Sequence, residues 1–511
     1  MTVTKSSDKT RIAKNTLFLY FRMLFVMGVS IYTSRVVLEI LGIVDYGIYQ
    51  TIGGIVGMMT FVHSSLSNGT SRFITFELGR NNPQKLERTF STSVTTQIFF
   101  AVILIVIAET VGVWFVSHKL QIDSDSMGIA TWVFQISVLT TVAGLISVPY
   151  FAAIIAHERM NVFAYLGIFD VCAKLGIVYL LTIGDINRLV LYAALLLSIQ
   201  IIVTLFSILY CYKNFSETRY RPIFDKPIFK DIAGFSGWSL FAAGSIALNN
   251  QGILVLLYMF FSPAVVTARS ISLQVNGAAN QFISNFRTAV NPQIVKQYAA
   301  GNFSESKSLL LASTKYSYFL MLLISLPVCI SADQLLHVWL VEVPDYTVIF
   351  LQLVIIQSLF QIFDTSFYTA LYAKGDLKAN ALISPTLGFL MFPIVYLMFK
   401  SGYSPVSLSW ASLVFYAILG LIVKPILIIK IVDYTWHDIF TLFRPCIVVS
   451  IIAGTFAFGI DRFVNFSSDF IGLVMKSGIC LCTTFTAIYA FGLSREIRNR
   501  ISNLILARVR N

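Results

Sequence analysis

The amino-acid sequence predicts an all-α polytopic membrane protein. Hydrophobic residues make up 57% of the 511 residues and charged residues only 12%, whereas soluble proteins carry about 25% charged residues. Apolar runs recur along the whole chain, and most approach the roughly 20 residues that a helix needs to cross a bilayer. The polar segments between these runs are short, so we expect no sizeable soluble domain.

About fourteen apolar runs are candidate transmembrane helices. They begin at Ile12, Ile48, Phe90, Ile129, Met160, Leu189, Ile232, Ala264, Leu309, Tyr346, Ala379, Val406, Pro445 and Phe470. The first run follows a polar start, is longer than the apolar region of a signal peptide and lacks a small-residue cleavage site, so we predict that it is retained. The eighth run is the most polar, and we keep it because the orientation of the later helices requires it.

The lysines and arginines predict the orientation of the chain. With the N-terminus in the cytoplasm, 25 of the 37 lysines and arginines fall on the cytoplasmic side and five on the other side, in agreement with the positive-inside rule. Lys424 is one of those assigned to the cytoplasmic side. Both termini are therefore predicted to be cytoplasmic. This topology accounts for the net charge of +12 without binding to nucleic acid.

The longest polar interruption, 213–230, predicts a cytoplasmic linker between two halves. Residues 1–212 form the predicted N-terminal six-helix bundle and 231–430 the C-terminal one, followed by two additional helices and a basic cytoplasmic tail in 431–511. A shift of the sequence by 220 residues aligns the hydropathy of the two halves, with few identities. Six helices in each half place both halves in the same orientation, an arrangement found among alternating-access transporters.

Ionisable side chains inside the membrane are candidates for a functional site, because each costs at least about 2.5–3.5 kcal/mol at mid-helix. The basic ones are Arg22, Arg72, Lys174, Arg269, Arg287, Lys315 and Lys476, and the acidic ones are Glu109, Asp170 and Asp364. This excess of bases favours an anionic ligand, such as a phosphate or pyrophosphate, over a cation. For Arg72, Arg269 and Arg287, which lie near helix ends, extension to the membrane interface is the alternative.

The depth and spacing of the other ionisable residues suggest different roles. Arg22 and Lys174 lie too deep to reach the interface, so we assign both to a cavity. Lys174 follows Asp170 by four residues, and the two side chains either neutralise each other or form a protonation switch. Glu109 and Asp364 have no obvious partner in the sequence and join Asp170 as candidates for coupling to protons or sodium.

Polar amides mark the seventh and eighth helices. The candidates for substrate binding among them are Asn249, Gln251, Asn276 and Asn280. The eighth helix is polar around much of its circumference, so we expect protein or water around it and not lipid. Packing between helices and recognition of sugar hydroxyls, which needs groups that both donate and accept, are both compatible with this pattern.

Nothing in the sequence indicates an enzyme. None of the 29 glycines is followed by lysine, so a P-loop is absent, and no zinc-type His/Cys cluster, GxSxG or HExxH motif occurs. The predicted outer loops are too short for the external catalytic lobe of a membrane glycosyltransferase. We therefore predict no catalytic residue, no metal and no cofactor.

One stretch around the seventh and eighth helices carries a family resemblance. Its segments are Asn249-Asn250-Gln251-Gly252, Ala268-Arg269-Ser270-Ile271, Gln274-Val275-Asn276-Gly277-Ala278-Ala279-Asn280-Gln281-Phe282, Ser284-Asn285-Phe286 and Ala289-Val290-Asn291-Pro292-Gln293-Ile294. They resemble the polysaccharide-transporter branch of the multidrug/oligosaccharidyl-lipid/polysaccharide (MOP) flippase superfamily, and are similar to bacterial O-antigen and lipopolysaccharide-biosynthesis flippases. Outside this stretch the resemblance extends only to the helix count, the two halves and the linker.

The resemblance implies a fold and a function. The fold is a V-shaped, MATE-like pair of bundles whose central cavity is lined mainly by the first, second, seventh and eighth helices. The function is to turn over a polyprenyl-pyrophosphate-linked oligosaccharide from the cytoplasmic to the periplasmic leaflet of the bacterial inner membrane. Basic cavity residues hold the pyrophosphate in this family, and four bases lie on the helices in question: Arg22, Arg72, Arg269 and Arg287. Implied partners are the lipid-linked oligosaccharide, membrane lipid and other polysaccharide-assembly proteins.

Two alternatives remain open at this stage. A MATE-type multidrug or cation antiporter of the same superfamily would need a cavity rich in acids and aromatic residues, and the excess of intramembrane bases speaks against it. An O-antigen polymerase or lipid-linked glycosyltransferase is disfavoured by the short outer loops and the lack of an acid cluster.

Overall fold

The computed structural model confirms an all-α polytopic fold. The structure describes residues 3–59, 82–120, 124–157, 159–181, 187–222, 225–230, 244–375, 378–463 and 470–493, together with single positions and pairs at 70, 73–74, 77–78, 241 and 498–499. No strand occurs in these ranges. Within these ranges, side chains are described from residue 24 onward, except at 58–59, 124–126, 160, 288–289, 292 and 463.

The long helices follow one another with short connections. In chain order they are α1 (3–41), α2 (43–59), α3 (Pro83–Lys119), α4 (Ser124–Ala156), α5 (Met160–Leu180), α6 (Arg188–Asn214), α7 (Gly244–Phe260), α8 (Pro263–Ala299), α9 (Phe303–Ile330), α10 (Thr347–Lys374), α11 (Lys378–Lys400), α12 (Ser407–Val432), α13 (Trp436–Phe463) and α14 (Phe470–Gly492). A short helix, Ala332–Trp339, lies between α9 and α10.

Eleven helical segments of the described ranges are long and apolar enough to cross a membrane. The segment Leu24–Gly57 is one of them and contains parts of both α1 and α2. The helix α7 is apolar but shorter, and α8 is absent from the eleven. The number of fourteen membrane crossings therefore stays a prediction.

Several helices begin earlier than their apolar runs predict. The second helix begins after Gly42 and not at Ile48, and α13 begins at Trp436 and not at Pro445. The reason is physical, because polar residues in the first turns of a helix lower the hydropathy without stopping the helix. The predicted start at Ile232 lies outside the described residues.

A break at Gly42 separates α1 from α2. Gly42 has φ 77° and ψ 171°, a backbone conformation that a residue with a Cβ adopts only with strain. The break frees backbone carbonyls, and side chains from other helices satisfy two of them. Arg188 Nη1 donates to the carbonyl of Ile40 at 3.1 Å, and Thr267 Oγ1 donates to that of Ile43 at 2.7 Å.

The chain forms two compact units. Unit 1 comprises Met1–Thr267 and Pro385–Tyr396, and unit 2 comprises Ala268–Ser384 and Leu397–Asn511. In unit 1, α4 packs against α3 and α6, and α5 packs against the α1–α2 segment. In unit 2, α9 packs against α10, α13 and α14, and α10 packs against α12. The pair of six-helix bundles, 1–212 and 231–430, stays a prediction.

Close backbone packing joins α2 to the start of α8 inside unit 1. A Cβ added at Gly47 would lie 2.2 Å from the carbonyl oxygen of Pro263, whereas a Cβ at Gly53 would meet nothing within 4 Å. Gly47 therefore allows a helix contact that alanine would prevent.

The predicted linker belongs to unit 1 and packs against other helices of that unit. Its inward side chains, such as Phe215 and Glu217, are buried, and Glu217 accepts a hydrogen bond from His157 at the end of α4. The His157 ring also stacks on Phe215, with ring centroids 3.9 Å apart. We call the described part of this segment, 213–222 and 225–230, the strap. Its first residues have fixed contacts with the end of α4.

The same strap is attached to the start of α3. The amide of Arg221 donates to Ser91 Oγ at 3.3 Å and the amide of Asp225 donates to Thr92 Oγ1 at 3.1 Å. Arg221 Nε also lies 2.9 Å from Glu87 Oε1. Buried hydroxyls on α3 therefore serve as acceptors for the backbone of the strap.

Ion pairing also joins two helix starts of unit 2. Lys307 near the start of α9 pairs with Asp438 near the start of α13, and its ammonium lies 5.3 Å from the ring of Tyr434. Burial raises the pKa of Tyr434 above its ordinary value, and the nearby Asp438 and Tyr298 raise this pKa further.

Within the described ranges, four helices contain a single wider turn. These π-turns are Ala108–Gly112 in α3, Leu248–Gly252 in α7, Leu419–Val423 in α12 and Ile488–Gly492 in α14. The turn in α12 lies directly before Lys424. A Cβ at Gly420 in this turn would lie 2.5 Å from the carbonyl oxygen of Phe360 on α10, so the two helices approach closely there.

Candidate functional site

Four of the predicted site residues share one face of α8. Arg269, Asn276, Asn280 and Arg287 are separated by seven, four and seven residues, a spacing that keeps side chains on one side of an α-helix. At 1.5 Å per residue they extend over about 27 Å, close to the roughly 30 Å thickness of the hydrocarbon core. We call these four residues and their partners on α10 and α12 the polar strip of unit 2.

The two asparagines of the strip form its centre. Asn280 Nδ2 donates to Asn276 Oδ1 at 3.1 Å and to Ser358 Oγ of α10 at 3.1 Å. Ser358 Oγ in turn donates to Asn276 Oδ1. Asn276 is 8% exposed. These contacts favour the packing role of both amides over direct contact with a sugar.

Arg269 lies at the end of the strip nearest the start of α8. The residue is only 4% exposed, and Nη1 donates to Ser409 Oγ of α12 at 3.1 Å. The guanidinium carbon lies 5.7 Å from the centre of the Phe350 ring, a cation–π contact. Among the described residues, Nε has no hydrogen-bond partner and no carboxylate lies within 4 Å. The side chain therefore points into the helices and not to the interface.

Arg287 lies at the other end of the strip. Its Nη2 donates to the backbone carbonyl of Thr365 and to Thr369 Oγ1, at 3.4 Å for the latter. No carboxylate of the described residues forms an ion pair with it within 4 Å, although Asp364 lies near enough to act on its charge. Thr365 and Thr369 are four residues apart on one face of α10, so a single face of α10 carries the partners of Arg287.

Asp364 has a partner that the sequence does not reveal. Its Oδ1 lies 3.0 Å from Nζ of Lys424 on α12, and the two side chains are 18% and 3% exposed. Lys424 Nζ also donates to Asn380 Oδ1 at the start of α11 and lies 5.6 Å from the ring of Tyr368. Lys424 is therefore buried inside unit 2 and does not lie in an exposed loop, and its assignment to the cytoplasmic side stays a prediction.

Two signals in the sequence could have found Lys424. It follows six apolar or glycine residues, 418–423, and precedes five more, 425–429. A lysine in such a run has little access to water unless it lies at a helix end, and α12 continues for eight residues after it. Its presence there therefore requires a counter-ion nearby, and Asp364 is deep in a neighbouring predicted helix.

A second face of α8 is exposed. Gly277, Gln281 and Ser284, separated by four and three residues, lie on this face, and a polar exposed face in a membrane helix indicates contact with water or a polar ligand and not with lipid tails. The strip and this face together make α8 polar on two sides, as the sequence predicts.

The predicted residues of α7 lie in unit 1. Asn249 Nδ2 donates to the carbonyl of Ser245 at 2.9 Å and to that of Gly388 on α11 at 3.0 Å. Gln251 packs against α2, where a Cβ at Gly54 would lie 3.3 Å from its carbonyl oxygen. Both residues are thus used in packing between helices of unit 1.

The remaining predicted residues are more scattered. Lys174 Nζ donates to Asp170 Oδ2 at 2.8 Å, so the two side chains form the expected i,i+4 pair on α5. Glu109 Oε2, at the π-turn of α3, accepts from Gln135 Nε2 at 3.0 Å. The side chains of Arg22 and Arg72 lie outside the described residues. No group of three or more His, Cys, Asp or Glu that could hold a metal occurs in the described ranges.

No protein-family model matches the chain, and no curated protein sequence matches it either. Solved structures do resemble it. The lipid II flippase MurJ in an inward closed conformation is 10% identical, with a TM-score of 0.67, and the match covers 94% of this chain and 99% of that one. An inward-facing multidrug resistance MATE transporter of the MOP superfamily is 14% identical, with a TM-score of 0.61 and coverage of 81% and 96%.

A third similar structure is that of a MOP superfamily transporter from Pyrococcus furiosus, described as having a binding pocket of reverse polarity. It is 13% identical, with a TM-score of 0.60, and the match covers 83% of this chain and 97% of that one. All three identities are low, so these structures establish the fold alone. The chain has the fold of these flippase and transporter structures.

Proposed function

We propose that this protein is a membrane flippase that moves an anionic, lipid-linked oligosaccharide from the cytoplasmic to the periplasmic leaflet of a bacterial inner membrane by alternating access. The observation that carries this proposal is the charge of the polar strip. Arg269 and Arg287 both lie on α8 without a carboxylate partner among the described residues. Guanidinium groups left without an acid in a membrane helix are suited to bind a phosphate or pyrophosphate.

The extent of the structural similarity supports a flippase over a drug exporter. The similarity to the lipid II flippase covers 94% of this chain, whereas the similarities to the MATE structures cover 81–83%. The flippase fold therefore includes a part of this chain that the MATE folds leave out. Reversal of pocket polarity in a MOP superfamily transporter also fits a fold that hosts ligands of either charge.

The two polar faces of α8 suggest separate tasks. Arg287 would bind the pyrophosphate, while the exposed face with Gln281 would contact the sugar, because an amide both donates to and accepts from hydroxyls. Arg269 lies about 27 Å further along α8 and stays a candidate for another part of the site. Asn276 and Asn280 would hold α8 against α10. Arg22, Arg72, Lys174, Asn249 and Gln251 stay candidates for the rest of the site.

The membrane potential can supply part of the driving force. An inside-negative potential favours outward movement of an anion by about 2.3 kcal/mol per charge per 100 mV. Coupling to protons or sodium through Glu109 or Asp170 would add to this. Asp170 and Asp364 are weaker candidates than Glu109, because Lys174 and Lys424 already supply them with counter-ions. Indifference of transport into vesicles to both ion gradients would exclude such coupling.

The experiment that tests the proposal is ligand-induced thermal stabilisation of the detergent-purified protein. We expect stabilisation by a polyprenyl-pyrophosphate-linked oligosaccharide and none by a lipophilic cation such as tetraphenylphosphonium. Arg287→Gln should weaken the apparent affinity by about tenfold to a hundredfold, because a hydrogen bond to a charged group contributes about 1.5–3 kcal/mol.

Lys315→Gln is the matched control. It removes the same charge from a half-buried position on α9, outside the polar strip, and should leave the affinity unchanged. Stabilisation by the cation alone would instead favour the MATE-type antiporter. Equal losses from both substitutions would mean that net charge, and not the strip, attracts the anion.

A further inference from the structure

Two bases of unit 2 lie near one acid, and the acid pairs with only one of them. Lys424 Nζ is 3.0 Å from Asp364 Oδ1. Arg287 contacts the backbone of the next residue, Thr365, yet Asp364 forms no ion pair with it within 4 Å. The carboxylate of Asp364 thus lies near two cations on two helices, and it pairs with Lys424 of α12.

We propose that Lys424 is a positioning residue for anion binding: by neutralising Asp364, it keeps the guanidinium of Arg287 available for an anionic headgroup. This inference rests on the proposed function and adds a residue that does not itself touch the ligand. Three charged groups share the region, so its sum of charges is +1, and the surplus charge is on Arg287.

If Lys424 were lost, Asp364 would be expected to pair with Arg287. A carboxylate without a counter-ion in the protein interior is strongly destabilised, and Arg287, which contacts the carbonyl of the adjacent Thr365, is a base close to it. A guanidinium binds a carboxylate in the same bidentate manner as a phosphate, so Asp364 would compete with the ligand for Arg287. The loss of Lys424 would then weaken ligand binding indirectly. Substitution of Asp364 in the same protein should remove this effect.

The other groups facing Asp364 and Lys424 do not replace this pairing. Asn380 accepts from Lys424, the ring of Tyr368 lies 5.6 Å from the ammonium, and Tyr416 of α12 lies near Asp364. All of these groups are uncharged amides or phenols. They orient the lysine, but none of them can neutralise a carboxylate.

The first test needs no transport ligand. Phenylglyoxal modifies free guanidinium groups, and mass spectrometry of the full-length protein measures the rate at Arg287. We expect the rate to fall about fivefold or more in Lys424→Met, because a guanidinium paired with a carboxylate is protected. The rate should return to the wild-type value in Lys424→Met with Asp364→Asn. Arg444, exposed on α13, is the internal control and should react equally in all variants.

The single variant Asp364→Asn keeps the test decisive if Lys424→Met does not fold. It removes the acid and retains both bases, so labelling of Arg287 should equal that of the wild type. A rise in labelling would mean that Asp364 already holds Arg287 in the native protein, and this result would overturn the inference. Unchanged labelling in folded Lys424→Met would overturn it as well.

The second test uses binding of polyprenyl pyrophosphate. Lys424→Met should weaken binding about tenfold or more, and adding Arg287→Gln to it should cost less than about threefold further, since residues that act through one another are not additive. In the Lys424→Met, Asp364→Asn background, binding should recover and Arg287→Gln should again cost its full amount.

The outcomes separate the two proposals. Failure of the wild type to bind the pyrophosphate, with labelling as expected, would reject the proposed function and leave the electrostatic arrangement intact. Binding that depends on Arg287 equally with and without Lys424 would reject the positioning role and leave the proposed function intact.

Discussion

The strap of unit 1 and the polar strip of unit 2 use charged groups in opposite ways. In the strap, Arg221 and Glu87 pair with side chains 66% and 24% exposed, at the end of a helix where water can solvate them. In unit 2, Arg269 of the strip is 4% exposed and Lys424, which pairs with Asp364 beside the strip, is 3% exposed. Charges at the strap stabilise a connection at little cost, whereas buried charges cost several kcal/mol each. The difference indicates that the strip is retained for a purpose other than stability.

The largest effect that would sharpen this comparison is expected for Lys424→Met. Removal of one partner of a buried ion pair should lower the free energy of unfolding by about 3–5 kcal/mol, measured by titration with SDS in mixed micelles. Lys430→Met on the exposed part of the same helix is the control and should change it little. Equal values for the two variants would mean that the pair is not buried as described.

The next largest effect is expected for Gly47→Ala. The added Cβ would lie 2.2 Å from the backbone oxygen of Pro263, so the helices must separate, at a cost of about 1–3 kcal/mol. Gly53→Ala on the same helix, where a Cβ meets nothing within 4 Å, should be neutral or slightly stabilising. The same SDS titration distinguishes them, and a neutral Gly47→Ala would contradict the close packing.

A smaller effect is expected for Glu217→Gln in the strap. Its contact with His157 would be weakened, so the strap should open more often, and amide hydrogen exchange over 215–222 should speed up about fivefold to tenfold for a loss of about 1–1.4 kcal/mol. Lys226→Gln, exposed on the same segment, should not alter exchange there. Unchanged exchange in Glu217→Gln would show that this contact does not hold the strap.

The smallest effect is expected for Arg221→Gln. An exposed ion pair contributes about 0–1 kcal/mol, so the free energy of unfolding should change by less than this amount and the change should shrink further in 0.5 M salt, a concentration at which charges are screened over about 4 Å. A loss as large as that of Lys424→Met would remove the contrast between the two regions.

Much of the fold and part of the site follow from the sequence. Apolar runs predict the helices because a membrane helix must satisfy its backbone hydrogen bonds within itself, and the polar α8 is kept by the orientation of its neighbours. The i,i+4 pair of Asp170 with Lys174 is predictable because both partners lie on one helix. Register along α8 also places Arg269 and Arg287 on one face.

Contacts between helices could not be predicted in the same way. Asp364 and Lys424 are 60 residues apart in the sequence, and their pairing depends on how α10 and α12 pack. Hydropathy gives the same low value to a lysine at a helix end and to one that has a buried counter-ion, so the sequence alone does not show that Lys424 is buried beside Asp364. The polar composition of 213–230 predicts a linker between two halves, but it does not reveal that buried hydroxyls of α3 bind the backbone of this segment.

The π-turn of α12 determines the direction in which Lys424 points. A π-turn closes i→i+5 hydrogen bonds and so holds one residue more than the α-helical turn that it replaces. Each residue of an α-helix turns the chain by about 100°. Deletion of one residue within 419–423 would therefore rotate Lys424 by about that angle relative to Ser409 and Ser412, away from Asp364. The ion pair between Lys424 and Asp364 therefore depends on the rotation of the α12 backbone. A change in the number of residues in this turn would break the pair even if both side chains were kept.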